Sequence, residues 1–278
     1  MMLPITANRK DSRNLRQEVA AFSILELMAV VSIVTVIAAL LLPALQKTKA
    51  RSQTIYCLNN LKQLQVAWDF YAGDNEDQLV PNNSAPGLHW IKASASLVFT
   101  SKDLTNKLFL TDTKNAAFAR YIKNADVYRC PSDDSVTTIG NNSHVPRVRS
   151  YTLNGVLGDD PQLSGSVNRL SDVVSPAPAR RFVFVDTHPG WSGPDYFSPP
   201  KPQGQISHEF NSVPSGLHNR AGTLSFADGH AEIHRWQDPR TLSPTINYPP
   251  TQLGLILLPM TSPNNSDIAW LSDRGASR

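Results

Sequence analysis

The stretch Phe22-Ser23-Ile24-Leu25-Glu26-Leu27-Met28, which runs on to Leu41-Leu42-Pro43-Ala44-Leu45, decides how the rest of the chain is read. From Phe22 to Leu45 there are 24 residues, and Glu26 is the only charge among them. An apolar run of about 20 residues is long enough to cross a bilayer core of about 30 Å as a helix. Basic residues flank it: Arg9, Lys10, Arg13 and Arg16 before, Lys47, Lys49 and Arg51 after. A carboxylate inside such a span costs about 2.5–3.5 kcal/mol, so Glu26 is expected to have a partner and a purpose.

Outward from this stretch, composition sets wide bounds. A chain of 278 residues holds one or two domains and can bury a substantial core. Its 21 prolines outnumber its 14 glycines, which favours an ordered, loop-rich domain over a flexible repeat. The net charge of +3 is small and the basic residues are scattered, so no nucleic-acid partner is expected. Two cysteines, Cys57 and Cys130, are too few for a disulfide scaffold or a four-thiolate zinc site. A bridge between them becomes possible if the globular part lies outside the cytoplasm; otherwise they are two separate buried thiols.

Past Leu45 the chain turns polar but keeps a helical period. Ile55, Leu58, Leu61, Leu64, Trp68 and Tyr71 recur every three or four residues, the apolar face of an amphipathic helix, and Gly73 is the expected stop. A single helix from Phe22 to Tyr71 would be about 75 Å long, bent at Pro43 where a backbone donor is missing. The divisions expected are a basic segment over 1–21, an apolar helix of membrane-spanning length over 22–45, its amphipathic continuation over 46–73, and an α+β head over 74–278.

Within the head, Arg181-Phe182-Val183-Phe184-Val185-Asp186-Thr187 reads as the best strand, buried on both faces. Arg149 to Gly155 reads as a shorter strand entering a turn, and Thr113 to Ile122 as a short helix. The proline-rich run from His188 to Phe210 reads as an exposed, irregular connection. Residues 265–274 read as a C-terminal helix that packs Ile268 and Leu271. Asp228-Gly229 lies between two alternating runs, which predicts a hairpin with positive φ at both turn residues and paired strands over 222–227 and 230–236.

His218, Asp228, His230 and His234 are the candidates for a metal site, since His230 and His234 fall on one face of a strand. Zinc needs three or four converging ligands, and the sequence places neither His218 nor Asp186 beside the other two histidines. A structural hairpin with exposed histidines is therefore the preferred reading, with no metal or cofactor expected. No nucleophile–base pair, phosphate loop or H-E-x-x-H pattern is present, so an enzyme is not expected.

These features together resemble a known family. The basic leader, Ala21/Phe22, Glu26 four residues after Phe22, and the Leu41-Leu42-Pro43-Ala44-Leu45 ending resemble the signal of type IV prepilins and type II secretion pseudopilins. Cys57-Leu58-Asn59-Asn60-Leu61-Lys62-Gln63-Leu64, Cys130-Pro131-Ser132-Asp133, Ser150-Tyr151, and His218 nine residues before Asp228-Gly229 resemble the H-X9-DG prepilin-like group of planctomycetes and verrucomicrobia. The resemblance implies a pilin-like α+β fold, with a transmembrane first half of a long helix and a head whose antiparallel sheet packs on the second half. It implies cleavage between Ala21 and Phe22 by a prepilin peptidase and N-methylation of Phe22. It also implies neutralisation of that amine in a neighbouring subunit by Glu26. Ala21 departs from the usual glycine before the cut. The protein would be an inner-membrane, single-pass subunit, head outside the cytoplasm, with other pilin or pseudopilin subunits and membrane lipid as partners. The alternatives are a surface-anchored binding protein using the 188–210 loop, or a metal-dependent enzyme using the four hairpin candidates.

Overall fold

The computed structural model describes residues 23–82, 85–91, 104–139, 143–159, 165–188, 196–200, 209–210, 212–242 and 260–276. The chain divides into two units, Met1–Thr48 and Lys49–Arg278, and helix α1 (Ile24–Asp74) supplies residues to both.

In the first unit, every described residue is exposed, including Ile24, Leu25, Met28, Leu40 and Leu45. The helix is long and apolar enough to cross a membrane. Its start is a reciprocal cap: Ser23 Oγ accepts from Leu25 N, and Glu26 Oε2 accepts from Ser23 N at 3.0 Å. A Ser followed three residues later by Glu is the capping-box pattern, which satisfies amide groups that have no helical acceptor. The α-helix continues through Pro43, which has no N–H to offer the carbonyl of Ala39.

In the second unit, α1 buries Cys57, Leu61, Leu64, Gln65, Ala67, Trp68 and Ala72. The period is the one the sequence predicts, but the face is rotated: Ile55 is 59% exposed and Tyr71 only half-buried. Small Ala67 and Ala72 and the tethered Cys57 select the inner face over the larger Ile55. The helix stops one residue past the expected Gly73. It ends at Asp74, and the reversal falls on Glu76 and Asp77, with φ of 53° and 67°. Neighbouring chain imposes that unusual geometry. Asp77 O accepts from Leu170 N at 2.9 Å, and its carboxylate accepts from Ser171 N and Oγ.

After a short helix α2 (Leu108–Thr111) and single turns at Ala117–Arg120 and Ala125–Tyr128, strands β1 (Val136–Ile139) and β2 (Ser143–Pro146) form a small hairpin. The main sheet follows: β3 (Tyr151–Asn154), β4 (Phe182–Asp186), β5 (Tyr196–Phe197), then β7 (Ala221–Phe226) and β8 (Ala231–Arg235), in spatial order β5-β3-β4-β7-β8. Strand β6 (Glu209–Phe210) pairs separately with β9 (Met260–Thr261). The sheet is mixed rather than antiparallel throughout, because β5, inside the proline-rich connection, lies parallel to β3. The segments 189–195 and 201–208 of that connection lie outside the described residues. The expected helix over 113–122 is reduced to the single turn Ala117–Arg120.

The middle of the sheet, β3, β4 and β7, is buried on both faces, as the unbroken apolar run of β4 requires. Phe184 and Leu153 join the α1 side with Trp90, Phe118 and Tyr128, where Trp90 meets Phe184 at 5.3 Å between ring centres. Phe182, Val185, Leu224 and Phe226 join the other side with Trp236 and with Ile268 and Leu271 of α4 (Ser266–Gly275), which follows the one-turn helix α3 (Pro239–Leu242). A bulge between Phe182 and Phe184 lets consecutive residues Val183 and Phe184 serve the α1 side. Asn265 caps α4 by accepting from Asp267 N and Ile268 N. The Asp267 carboxylate then accepts from Gln237 N, Asp238 N and Thr241 Oγ1, fixing α4 to the chain leaving β8.

Gly275 marks the tightest point of this packing: a Cβ there would lie 2.4 Å from Phe182 Cε1 and 2.6 Å from Pro199 Cβ. Alanine normally improves a helix by up to about 1 kcal/mol over glycine. Here a buried ring cannot yield, and overpacking costs about 1–3 kcal/mol. Gly275→Ala is expected to lower the urea midpoint of the detergent-solubilised chain; an unchanged or raised midpoint would show that α4 can back away from β4.

Candidate functional site

Four of the sequence patterns singled out above meet at one buried place between α1 and the sheet. Cys57 of α1 is joined by a disulfide to Cys130, with a Cα–Cα distance of 5.2 Å and 73 residues of separation. Cys130 opens a turn closed by Asp133 N donating to Cys130 O at 2.9 Å, and Ser132 N points at Cys130 Sγ at 3.4 Å. Ser150, just before β3, donates to Asp133 Oδ2 at 2.6 Å and accepts from Cys130 N at 3.1 Å. Arg147 pairs with Asp133 at 2.7 Å and donates from Nε to Ser135 Oγ at 2.8 Å. Burial pushes the Asp133 carboxyl up, but Arg147, Ser135 and Ser150 together outweigh it and hold it below the ordinary carboxylate range. A buried ion pair furnished this fully is tolerable, whereas either charge alone is not.

His218 reaches the same place from the segment leading into β7. Its ring is placed by a tight turn in which Asn219 and Arg220 take φ of 55° and 65°, and its backbone N–H donates to Ala221 O. His218 Nδ1 lies 3.1 Å from Thr54 Oγ1. The single hydroxyl proton of Thr54 goes to Ala50 O at 2.9 Å, so His218 Nδ1 must be the donor in the first contact. That leaves the Nε2 lone pair facing Cys130 Sγ at 3.4 Å and Asp186 Oδ2 at 3.5 Å.

Asp186 ends β4 fully buried, its carboxylate accepting from Thr223 N at 2.9 Å and Thr223 Oγ1 at 3.0 Å. Gly222 leaves room for it, since a Cβ there would sit 2.9 Å from Asp186 Oδ1. Burial drives the Asp186 pKa up to about 8 and the His218 pKa down to about 4. The distance is within ion-pair range, yet near neutral pH the pair is two uncharged groups holding one proton, carried by the carboxyl. No charge is then buried without a partner.

The four metal candidates of the hairpin do not meet. His218 lies at the disulfide, whereas Asp228 and His230 sit together at the hairpin turn, where His230 stacks on Phe226 at 4.3 Å. His234 instead stacks on Trp270 at 3.7 Å. The turn also differs from expectation. Gly229 N donates to Phe226 O, Phe226 N donates to His230 O, and only Gly229 has positive φ (91°). This is a three-residue loop of type I plus a left-handed glycine, not a two-residue turn. Asp228 accepts from His230 N across it. The H-X9-DG element thus has two separate ends: a buried histidine that docks on α1 and a surface turn.

Ala21 and Phe22 lie outside the described residues, while Glu26 and Pro43 are both in α1. Thr54, Asp186 and the Asp133–Arg147 pair belong to the cluster but carry no local signal that would have grouped them. The Ser23/Glu26 cap did carry one, the Ser-x-x-Glu spacing itself. Both cysteines and Asp186 have no exposed surface and His218 only 8%. As it stands, the cluster is suited to tying segments together and holding a proton.

The proton count makes a specific prediction. Folding raises Asp186 from an ordinary 3.8 to about 8 and lowers His218 from 6.5 to about 4. Between pH 4 and 6.5 the folded pair holds one proton on Asp186 and the unfolded pair one on His218, so their contributions cancel. Between pH 6.5 and 8 only the folded state holds a proton. Stability then falls with rising pH at about 1.4 kcal/mol per unit, or about 2 kcal/mol across the window. In Asp186→Asn this decline disappears. His218 alone then makes stability drop as pH falls from 6.5 to 4, and urea titrations of both chains from pH 4 to 8.5 read the difference. Parallel curves would show that Asp186 is ionised in the fold.

Compared with protein-family models, with curated proteins and with solved structures, the chain finds a match in none of the three.

Proposed function

We propose that the chain is a prepilin-like structural subunit of a type II secretion pseudopilus or a type IV pilus-like filament. It is cut between Ala21 and Phe22 by a prepilin peptidase, methylated at Phe22, and held in the inner membrane by residues 22–45 with its head outside the cytoplasm. The observation that carries this reading is a 24-residue apolar run whose sole charge, Glu26, stands fifth from the proposed cut. The exposed apolar surface from Ile24 to Leu45 supports it, because water does not favour such a surface and lipid or like helices would cover it. The Cys57–Cys130 disulfide supports a head in an oxidising compartment. The closed character of the buried cluster supports a structural rather than a catalytic role.

Magnitudes favour subunit pairing as the use of Glu26. In a single chain it completes the cap that Ser23 begins, and a whole cap is worth about 0.5–2 kcal/mol. A carboxylate left in the apolar layer costs about 2.5–3.5 kcal/mol, so the cap alone does not offset it. An amine created by cleavage, placed at the positive end of a helix, is the missing partner.

Mass spectrometry of the membrane-extracted protein is expected to find N-methyl-Phe22 as the first residue. A chain that begins at Met1 or Met2 and is stable in the membrane would end this reading. Glu26→Gln separates the two uses of the carboxylate, since it keeps an acceptor for Ser23 N and removes the charge. The variant is expected to be processed normally but to be lost from sheared filaments, and wild-type incorporation would assign Glu26 to capping alone.

A further inference from the structure

The ligand atoms of Cys57, Cys130 and His218 all lie within 4.8 Å of one another. His218 Nε2 stands 3.4 Å from Cys130 Sγ and 3.5 Å from Asp186 Oδ2. Four ligands around a tetrahedral ion, with bonds of about 2.0–2.3 Å, are separated by about 3.3–3.8 Å along the tetrahedron's edges. Two of those edges are therefore already set with the disulfide closed.

The surroundings match what such an ion requires. Thr54 Oγ1 accepts a hydrogen bond from His218 Nδ1, which fixes the tautomer whose Nε2 lone pair faces the sulfur. Ser132 N points at Cys130 Sγ, a contact that favours a thiolate. Thr223 fixes the Asp186 carboxylate through Oδ1 and Oδ2. Nothing in the disulfide role requires an imidazole of defined tautomer beside the sulfurs, with a carboxyl oxygen 3.5 Å from its Nε2.

We propose that the reduced chain binds one thiophilic divalent cation of the zinc class through Cys57 Sγ, Cys130 Sγ, His218 Nε2 and Asp186 Oδ2. The same locus then has two alternative cross-links: a disulfide that joins α1 to the Cys130 turn when oxidised, and a metal that joins both to the β7 lead-in and β4 when reduced. Two thiolates with an imidazole select zinc or cobalt over magnesium or calcium. The steps balance as follows. A phosphine reductant takes the oxygen of one water and becomes its oxide, and the two hydrogens of that water go to the two sulfurs. The ion then displaces both thiol protons and the carboxyl proton of Asp186 to buffer, while His218 keeps its Nδ1 proton. Side-chain rotation at the two cysteines parts the sulfurs to admit the ion. This inference stands independently of the filament reading, since it concerns the head alone.

The test uses the full chain in detergent, opened in urea with a phosphine and returned to buffer with the phosphine and Zn2+ or Co2+ present. After gel filtration, about one metal per chain is expected. The Co2+ form should show thiolate charge-transfer absorption in the near ultraviolet and the strong visible bands of tetrahedral coordination. The oxidised chain and a Cys57→Ser/Cys130→Ser double variant are expected to retain none. His218→Ala is expected to bind at least about tenfold more weakly. Failure of the reduced chain to retain metal, whether or not it refolds, overturns the proposal, as does equal retention by the double variant.

Discussion

A helix whose inner face includes three alanine-sized or polar positions must be held to a sheet by something more than apolar area. Here a covalent bond supplies it. Cys57 fixes α1 to Cys130, and Asp133 of the same turn is fixed to Arg147 and Ser150 at the entrance of β3. His218 adds β7 through its backbone, and Asp186 adds β4. Four segments far apart in sequence are thus tied within one small volume, and a cross-link closing a loop of this length is worth about 4 kcal/mol in the chain-entropy account. The aromatic layer of Trp90, Phe118, Tyr128 and Phe184 packs beside it and fills the remaining space.

The protonation chemistry follows from the same confinement. Asp186 and His218 are desolvated together, and one shared proton avoids leaving a bare charge between them. Asp133 is treated oppositely: Arg147 and two serines surround it, and it stays ionised. Two buried carboxyls in one region therefore differ in charge: at Asp133 the guanidinium and the serines outweigh burial, whereas at Asp186 burial outweighs the hydrogen bonds from Thr223.

Much of the fold was legible because it depends on local pattern. The unbroken Phe182–Asp186 run announced a strand buried on both sides, and Ile268 and Leu271 announced the C-terminal helix. Leu61, Leu64 and Trp68 are buried as the period requires, but one edge of the α1 face was misplaced, because periodicity ranks residues by apolar size and Ile55 outranks Cys57 until the disulfide is known. The helix ends one residue past the expected Gly73, but the left-handed reversal falls further on, because tertiary bonds from Leu170 and Ser171 hold Glu76 and Asp77 left-handed without a glycine. At the buried cluster, the patterns around Cys57, Cys130, Ser150 and His218 were each visible, but nothing local connects them. Only the β3-β4-β7 order brings Ser150, Asp186 and His218 to one side of the sheet.

The position of the cross-link along α1 has a mechanical consequence. A pull entering the second unit at Lys49 would meet Thr54 and Cys57 before it reached Leu61, Leu64 or Trp68. The covalent joint would take the load first, leaving the apolar stripe behind it shielded rather than peeled turn by turn. Resistance to forced opening is governed by the unfolding rate, not by equilibrium stability. With the joint intact the head would behave as a clamp fastened at its leading edge; with it open, as a zipper.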